Sequence, residues 1–205
     1  MTAGTPVRER YQGRIAGVGT TSGTRLVVGS WAHTPLGVFA DVMVERPDGH
    51  RVLLAPSEAV RDVIEATYVF DEVRVEPVSV AEAHGTWAVS GPSLSLRLGF
   101  GRRSGLGWLL RAVPTGLATS TRWGTVVDPV AVRVMYGVRT RGVARKGRRE
   151  WYGATDLRLV TSASGTFDGA PLGSLARVDP PCRFGFSSTP RTPSVTSVVT
   201  TIEVG

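Results

Sequence analysis

Residues 38–45 read Val-Phe-Ala-Asp-Val-Met-Val-Glu. Val38, Ala40, Val42 and Val44 fall on one side of a period of two, and Phe39, Asp41, Met43 and Glu45 on the other. A helix would scatter these side chains around its circumference, whereas a strand separates them into two faces. Pro47-Asp48-Gly49 follows as a turn, and His50 to Ala55 returns as the partner of a hairpin. The chain must therefore build antiparallel β-structure here. Its 25 glycines and 13 prolines are spread along the whole length, which extends the conclusion to many short strands rather than a helical bundle.

Tyr11 to Val18 and Arg25 to Trp31 read as the first strands, joined by the Gly/Thr/Ser run 19–24. Further strands are expected at Tyr68 to Val80, Trp87 to Ser90, Leu94 to Leu98, and near 173–178, 182–187 and 195–204. Pro56-Ser57 opens a helix over 57–66, with Ser57 as its cap, Glu58 suiting the dipole, and Val60, Val63 and Ile64 on one stripe. Helical spacing returns over 105–119, kinked by Pro114, and over 128–136 after Asp128-Pro129. The expected architecture is one mostly-β domain over 1–205, either a barrel or two packed antiparallel sheets. It carries about three helices, including a helical insertion near 105–136, with residues 1–9 as a loose tail and 139–149 as a basic loop.

Charge is unevenly placed. Residues 97–149 hold twelve of the 24 cationic residues against a single acid, Asp128, so the positive field comes from one region. Lys146 is the only lysine. Cys182 is the only cysteine, which excludes an internal disulfide and a thiolate metal cluster and suits a core thiol. No apolar run opens the chain, so no secretory signal is expected and the localisation read is cytoplasmic. The most apolar stretch, Leu106 to Ala118, is interrupted by Arg111 and Pro114 and is too short to span a bilayer.

The densest mixture of aromatic, charged and small residues is Gly147 to Val160. Strict alternation there would place Glu150, Tyr152, Ala154, Asp156 and Arg158 on one face, and Trp151, Gly153, Thr155, Leu157 and Leu159 on the other. Two carboxylates, a phenol and a guanidinium would then share one side of a central strand.

Two stretches resemble a known family. Phe39-Ala40-Asp41-Val42-Met43-Val44, Asp48-Gly49, the helix 57–66 and Tyr68-Val69-Phe70 resemble the front half of an uncharacterised bacterial family grouped with the acetoacetate decarboxylase-like fold. Gly147-Arg148-Arg149-Glu150-Trp151-Tyr152-Gly153 is similar to the Gly-Arg-Glu segment that precedes the Schiff-base lysine of the decarboxylases. The whole pattern, including Pro180 to Arg191, also resembles uncharacterised actinobacterial proteins. The resemblance implies a small-molecule pocket inside a β-rich fold. It does not carry the decarboxylase mechanism, because Ala154-Thr155-Asp156 stands where the lysine should follow.

The expected ligand is a small, partly apolar organic molecule. Asp41, Tyr152 and Asp156 are the candidate acid/base groups of a lyase, hydratase or isomerase that uses no Schiff-base lysine. Trp31, His33, Phe39, Trp151 and Arg158 are the candidate ligand contacts. The competing reading pairs each carboxylate with one of 23 arginines. Asp41 stands out, since a carboxylate mid-strand between Phe39 and Met43 is costly without a partner. No cofactor is expected, and the dispersed His33, His50 and His84 supply no metal site. The alternative function is a non-catalytic module that binds an acidic partner or nucleic acid through Arg139, Arg141, Arg145, Lys146, Arg148 and Arg149. Nucleic acid is disfavoured, because no aromatics interleave these cations. A homodimer is left open.

Overall fold

The computed structural model describes residues 7–114, 141–145, 148–185 and 188–204. The first half of the chain supplies β1 (Val7–Thr20), β2 (Arg25–His33), β3 (Phe39–Glu45), β4 (Arg51–Ala55), α1 (Glu58–Glu65) and β5 (Glu72–Val75). Next come β6 (Ser79–Ala83), β7 (Thr86–Ser90), β8 (Leu94–Arg103) and α2 (Gly105–Ala112). The remainder gives β9 (Arg141–Arg145), β10 (Arg148–Phe167), β11 (Ala170–Pro171), β12 (Leu175–Ala176) and β13 (Ser194–Val204).

The strands form one sheet in the order β5-β4-β3-β2-β1-β13-β10-β8-β7-β6, curled into a half-barrel. Pairing is antiparallel except between β4 and β5, which α1 joins in parallel register. The curl follows from β10, whose 20 residues change register against β13 and twice against β8. Each irregularity bends a strand and adds twist.

Curling brings the two halves of the sheet face to face over an inner core. Val28, Val42, Val44 and Leu54 meet Trp87, Leu96, Leu98 and Phe167 there. A second core lies on the outer face of β2, β3 and β4, where Val27, Met43 and Leu53 are covered by Val60 and Ile64 of α1 and by Val178, Cys182 and Phe184. These central strands are thus buried on both sides, as their near-continuous apolar sequences require. Ser57 caps α1 by accepting from the Val60 amide, as its position before the apolar stripe predicts.

Several boundaries differ from the sequence reading, each for a local reason. Two helices rather than about three are present among the described residues. The helical insertion is represented by α2 alone; the rest of the expected 113–136 stretch lies largely outside the described residues. Of the expected tail 1–9, residues 7–9 belong to β1, which pairs with β13 from Val7, and residues 1–6 lie outside the described residues. The strand expected over 68–80 is split into β5 and β6, with Pro77, which has no amide to donate, between them. Residues 178–185 are not a strand either, since Pro180-Pro181 removes two consecutive donors; the segment packs as a cover instead. Within the expected basic loop 139–149, Arg141–Arg145 forms β9 and pairs with the start of β10; residues 139, 140, 146 and 147 lie outside the described residues. Among the described residues no helix is long and apolar enough to cross a membrane.

Candidate functional site

The two faces of the sheet sort the candidate residues. On β3, Phe39, Asp41 and Met43 point outward, as alternation predicts. Asp41 sits opposite Gly29 of β2, and Trp31 lies opposite Phe39. The Trp31 indole folds back across Gly29 and donates from Nε1 to Asp41 Oδ1 at 2.8 Å. Only glycine leaves room for this, because a Cβ on Gly29 would overlap Asp41 Oδ1 and sit 2.5 Å from Trp31 Nε1. Tyr11 meets the indole edge-on at 6.3 Å, and Phe39 lies against it at 6.2 Å. Asp41 is 3% exposed and forms no ion pair with the described residues. Burial pushes its carboxyl up to about 6, against the opposing pull of the Trp31 hydrogen bond.

Tyr152 shares this outer face. It pairs with Thr200 of β13, which pairs with Tyr11 of β1, and its hydroxyl meets that of Tyr68. The structure therefore brings Trp31, Phe39, Asp41 and Tyr152 to one side of the sheet. His33 is exposed at the end of β2.

Asp156 and Arg158 go to the opposite face, which corrects the alternation expected for β10. Ala154 pairs with Val198, and Asp156 pairs with the next residue back, Ser197, so Thr155 is an extra residue in a bulge. One added residue inverts the side chains that follow it, here as far as the next irregularity of β10 after Val160. Asp156 and Arg158 consequently face inward, on the same side as buried Trp151. The set Asp41, Tyr152 and Asp156 is divided by the sheet.

On the inner side Asp156 meets Arg103 at the end of β8. Nε and Nη2 donate to Oδ1 and Oδ2 at 2.7 and 2.9 Å, a two-pronged pair. The Leu157 amide also donates to Oδ1. The Arg103 hydrogen bonds, with that amide and the field of Arg158 contributing, hold the Asp156 carboxyl below its ordinary range despite partial burial. Across the strands, Arg14 of β1 forks onto Glu82 of β6, with Nη1 to Oε1 at 2.9 Å, and its guanidinium lies 5.2 Å from the Trp87 ring centre. Glu82 is also held low, first by Arg14 and to a lesser degree by the Trp87 indole and the field of Arg158.

These pairs border a cleft of about 310 Å³ at the rim of the inner core. Phe100, Val195 and Ser197 line it, and Arg111 and Arg158 add two further guanidiniums. Arg111 arrives through α2. Ser104 caps that helix by accepting from the Gly107 amide at 2.9 Å, and Gly107 lies directly on β10, where a Cβ would overlap the Leu157 carbonyl oxygen. Arg111 stands four residues on, on the same helix face. Sequence reasoning missed Arg14, Glu82, Phe100, Arg103 and Arg111 as site residues. A signal was present for Arg14, which shares the inner face of β1 with the fully buried Ala16 and Val18.

Arg141, Arg145, Arg148 and Arg149 occupy the β9–β10 hairpin, while Arg139 and Lys146 lie outside the described residues. Glu45, fully buried, pairs with Arg25 at 3.0 Å and accepts from the Arg183 backbone and side chain. Cys182 is a buried thiol that desolvation pushes up to about 12, chemically quiet as the sequence suggested.

No family model matches the chain, and no curated protein matches it. Among solved structures the chain is similar to acetoacetate decarboxylase from Legionella pneumophila. That likeness has 8% identity, spans 98% of this chain and 85% of the other, and has a TM-score of 0.42. It is also similar to a Nitrosomonas europaea protein assigned as AttH, at 11% identity over 100% of this chain and 57% of the other, with a TM-score of 0.24.

Proposed function

We propose that this protein binds a small, partly apolar organic molecule in the cleft at the rim of the inner core, without Schiff-base chemistry. The observation that carries the reading is the cleft itself: about 310 Å³, with Phe100 and Val195 set among four guanidiniums and two carboxylates. Its volume lies at the lower end of the ~300–1,000 Å³ that ligand pockets occupy, and its wall is more charged than theirs, which favours a ligand that itself carries charge. A molecule of about a dozen heavy atoms or fewer suits it; a nucleotide or a nucleic-acid strand does not.

The chemistry open to the cleft is binding and orientation. Asp156 is a poor general base here, because Arg103 and the Leu157 amide occupy its lone pairs and keep it ionised. Amine catalysis has no nucleophile in this wall. Its cations are the guanidiniums of Arg14, Arg103, Arg111 and Arg158, which are poor nucleophiles, and the chain's single lysine is Lys146. Treatment with borohydride in the presence of β-keto acids is expected to leave the intact mass unchanged.

The test of binding is a thermal-shift screen of small organic acids, ketones and amides against the full chain. It is followed by Ser197→Phe, which fills the cleft from β13. Ligands that raise the melting temperature of the native chain should lose that effect in the variant, with its circular dichroism unchanged. Ligands that stabilise both chains equally would place binding elsewhere and overturn the reading.

A further inference from the structure

We propose that the ligand of this cleft is a short dicarboxylate, its two carboxylates taken by Arg111 and Arg158; the inference rests on the cleft being the binding site. The lining holds four guanidiniums and two carboxylates, so it carries two more cations than acids. Those four cations are not equivalent. Arg14 spends both terminal nitrogens on Glu82, and Arg103 spends Nε and Nη2 on Asp156. Each of these pairs is a finished unit with its fork aimed at protein.

Arg111 and Arg158 differ. Neither has a carboxylate within salt-bridge distance among the described residues. Arg158 is near enough to both Glu82 and Asp156 for its field to help keep them ionised, yet it is bonded to neither. Both side chains are solvent-accessible, so their forks are open to an incoming anion. An arginine fork matches a carboxylate through two parallel hydrogen bonds, and two free forks match two carboxylates.

The two cations reach the cleft by independent structural devices. Arg158 faces inward only because the extra residue at Thr155 inverts β10 after Ala154. Arg111 is placed by a helix that touches the sheet through a glycine, one turn before it. Cations on two separate elements suit an elongated ligand with a charge at each end, whose methylenes can lie on Phe100 and Val195. A phosphate would instead need both forks to converge on one atom centre. The cleft volume limits the chain between the carboxylates to a few carbons.

Calorimetric titration of the full chain at low ionic strength tests this. The probes are succinate, glutarate and adipate, then butyrate and valerate as monoacids of matched length, and inorganic phosphate. The best diacid should bind at least ~10-fold more tightly than its monoacid, the margin that one further charge-assisted pair supplies. Arg111→Gln and Arg158→Gln should each erase that margin, leaving diacid and monoacid equal. Arg8→Gln, at an exposed pair on β1, should leave it intact. Equal binding of diacids and monoacids by the native chain, or a preference for phosphate, would overturn the dicarboxylate while leaving the cleft reading standing, provided that Ser197→Phe still abolishes binding. Binding of any probe that persists in Ser197→Phe would overturn the cleft reading itself. Unchanged melting temperatures in the two Arg→Gln chains separate a lost contact from a lost fold.

Discussion

Asp41 and Asp156 are the same side chain on opposite faces of one sheet, and the protein accommodates them in opposite ways. Asp41 is sealed in the outer core with an indole N–H as its partner, and its carboxyl rises to about 6. Asp156 stands half-buried at the rim of the inner core, gripped by both prongs of Arg103, and its carboxyl falls. An arginine-rich chain does not therefore pair every acid with an arginine. A guanidinium is supplied where its stem can reach from a neighbouring strand, as at Asp156 and Glu45. Above Asp41 the space over Gly29 is taken by Trp31, and a neutral donor does the work. Desolvation without a countercharge raises a carboxyl, and a bidentate cation lowers it.

The largest effect expected from breaking this contrast comes from Gly29→Ala. The added Cβ overlaps Asp41 Oδ1 and crowds Trp31 Nε1 in a region closed on both sides. Overpacking together with a lost buried hydrogen bond should cost about 3–4 kcal/mol. Denaturant unfolding should show the loss as a lower midpoint with an unchanged slope; an unaltered midpoint would mean that the indole does not occupy that space.

The second effect is a pH dependence. A carboxyl that is harder to ionise in the folded state favours folding at low pH. The advantage is complete below the unfolded value near ~3.9, is lost as pH rises through about 6, and does not return above it. The difference amounts to roughly 2–3 kcal/mol. Asp41→Asn, which can still accept from Trp31, should remove that slope and be the more stable chain at pH 8. Parallel stability curves for the two proteins from pH 4 to 8 would refute the assignment to Asp41.

Much of the outer face was legible in the sequence. The period of two over residues 38–45 placed Asp41 between Phe39 and Met43, and the cost of an unpartnered carboxylate there marked it as unusual before any contact was known. The apolar stripe Val60, Val63 and Ile64 likewise gave the helix that covers β4. The inner face was not legible, because its decisive feature is a single extra residue at Thr155. A bulge leaves no trace in a hydrophobicity pattern already broken by Tyr152, Gly153 and Asp156, and a reading that assumes strict alternation puts Asp156, Arg158 and Val160 on the wrong face. Nor could the chain order reveal that Arg14 and Arg103, 89 positions apart in numbering, would border the same cleft. That proximity is a product of the strand order.

A third effect tests whether the inner face is as localised as its rim position implies. Gly107→Ala forces α2 off the Leu157 carbonyl, since the new Cβ meets backbone that cannot rotate away. The cost should be about 1–2 kcal/mol and confined to the helix, unlike that of Gly29→Ala. Hydrogen exchange should rise over 105–112 while β2 and β3 keep their protection, and diacid affinity should fall because Arg111 travels with the helix. Exchange that rises equally in β2 and β3 would show the two regions to be one cooperative unit.

The smallest effect is Asp156→Asn, and it sharpens the contrast through its sign. Asp156 has a lowered carboxyl, so its pairing adds stability above the unfolded value near ~3.9 and is lost as pH falls through the folded value below it. Its limb of the stability curve thus rises with pH, in a more acidic window than the falling limb of Asp41. Solvent screening at the rim keeps the contribution under about 1 kcal/mol, far short of what the same geometry would give in the core. The amide should therefore flatten only the acid edge and leave the slope between pH 4 and 6 untouched, whereas Asp41→Asn should do the reverse. The double variant separates the two, because groups on opposite faces with no shared partner should add. Non-additive curves would mean that the sheet transmits charge between its faces, and that the two aspartates belong to one electrostatic unit after all.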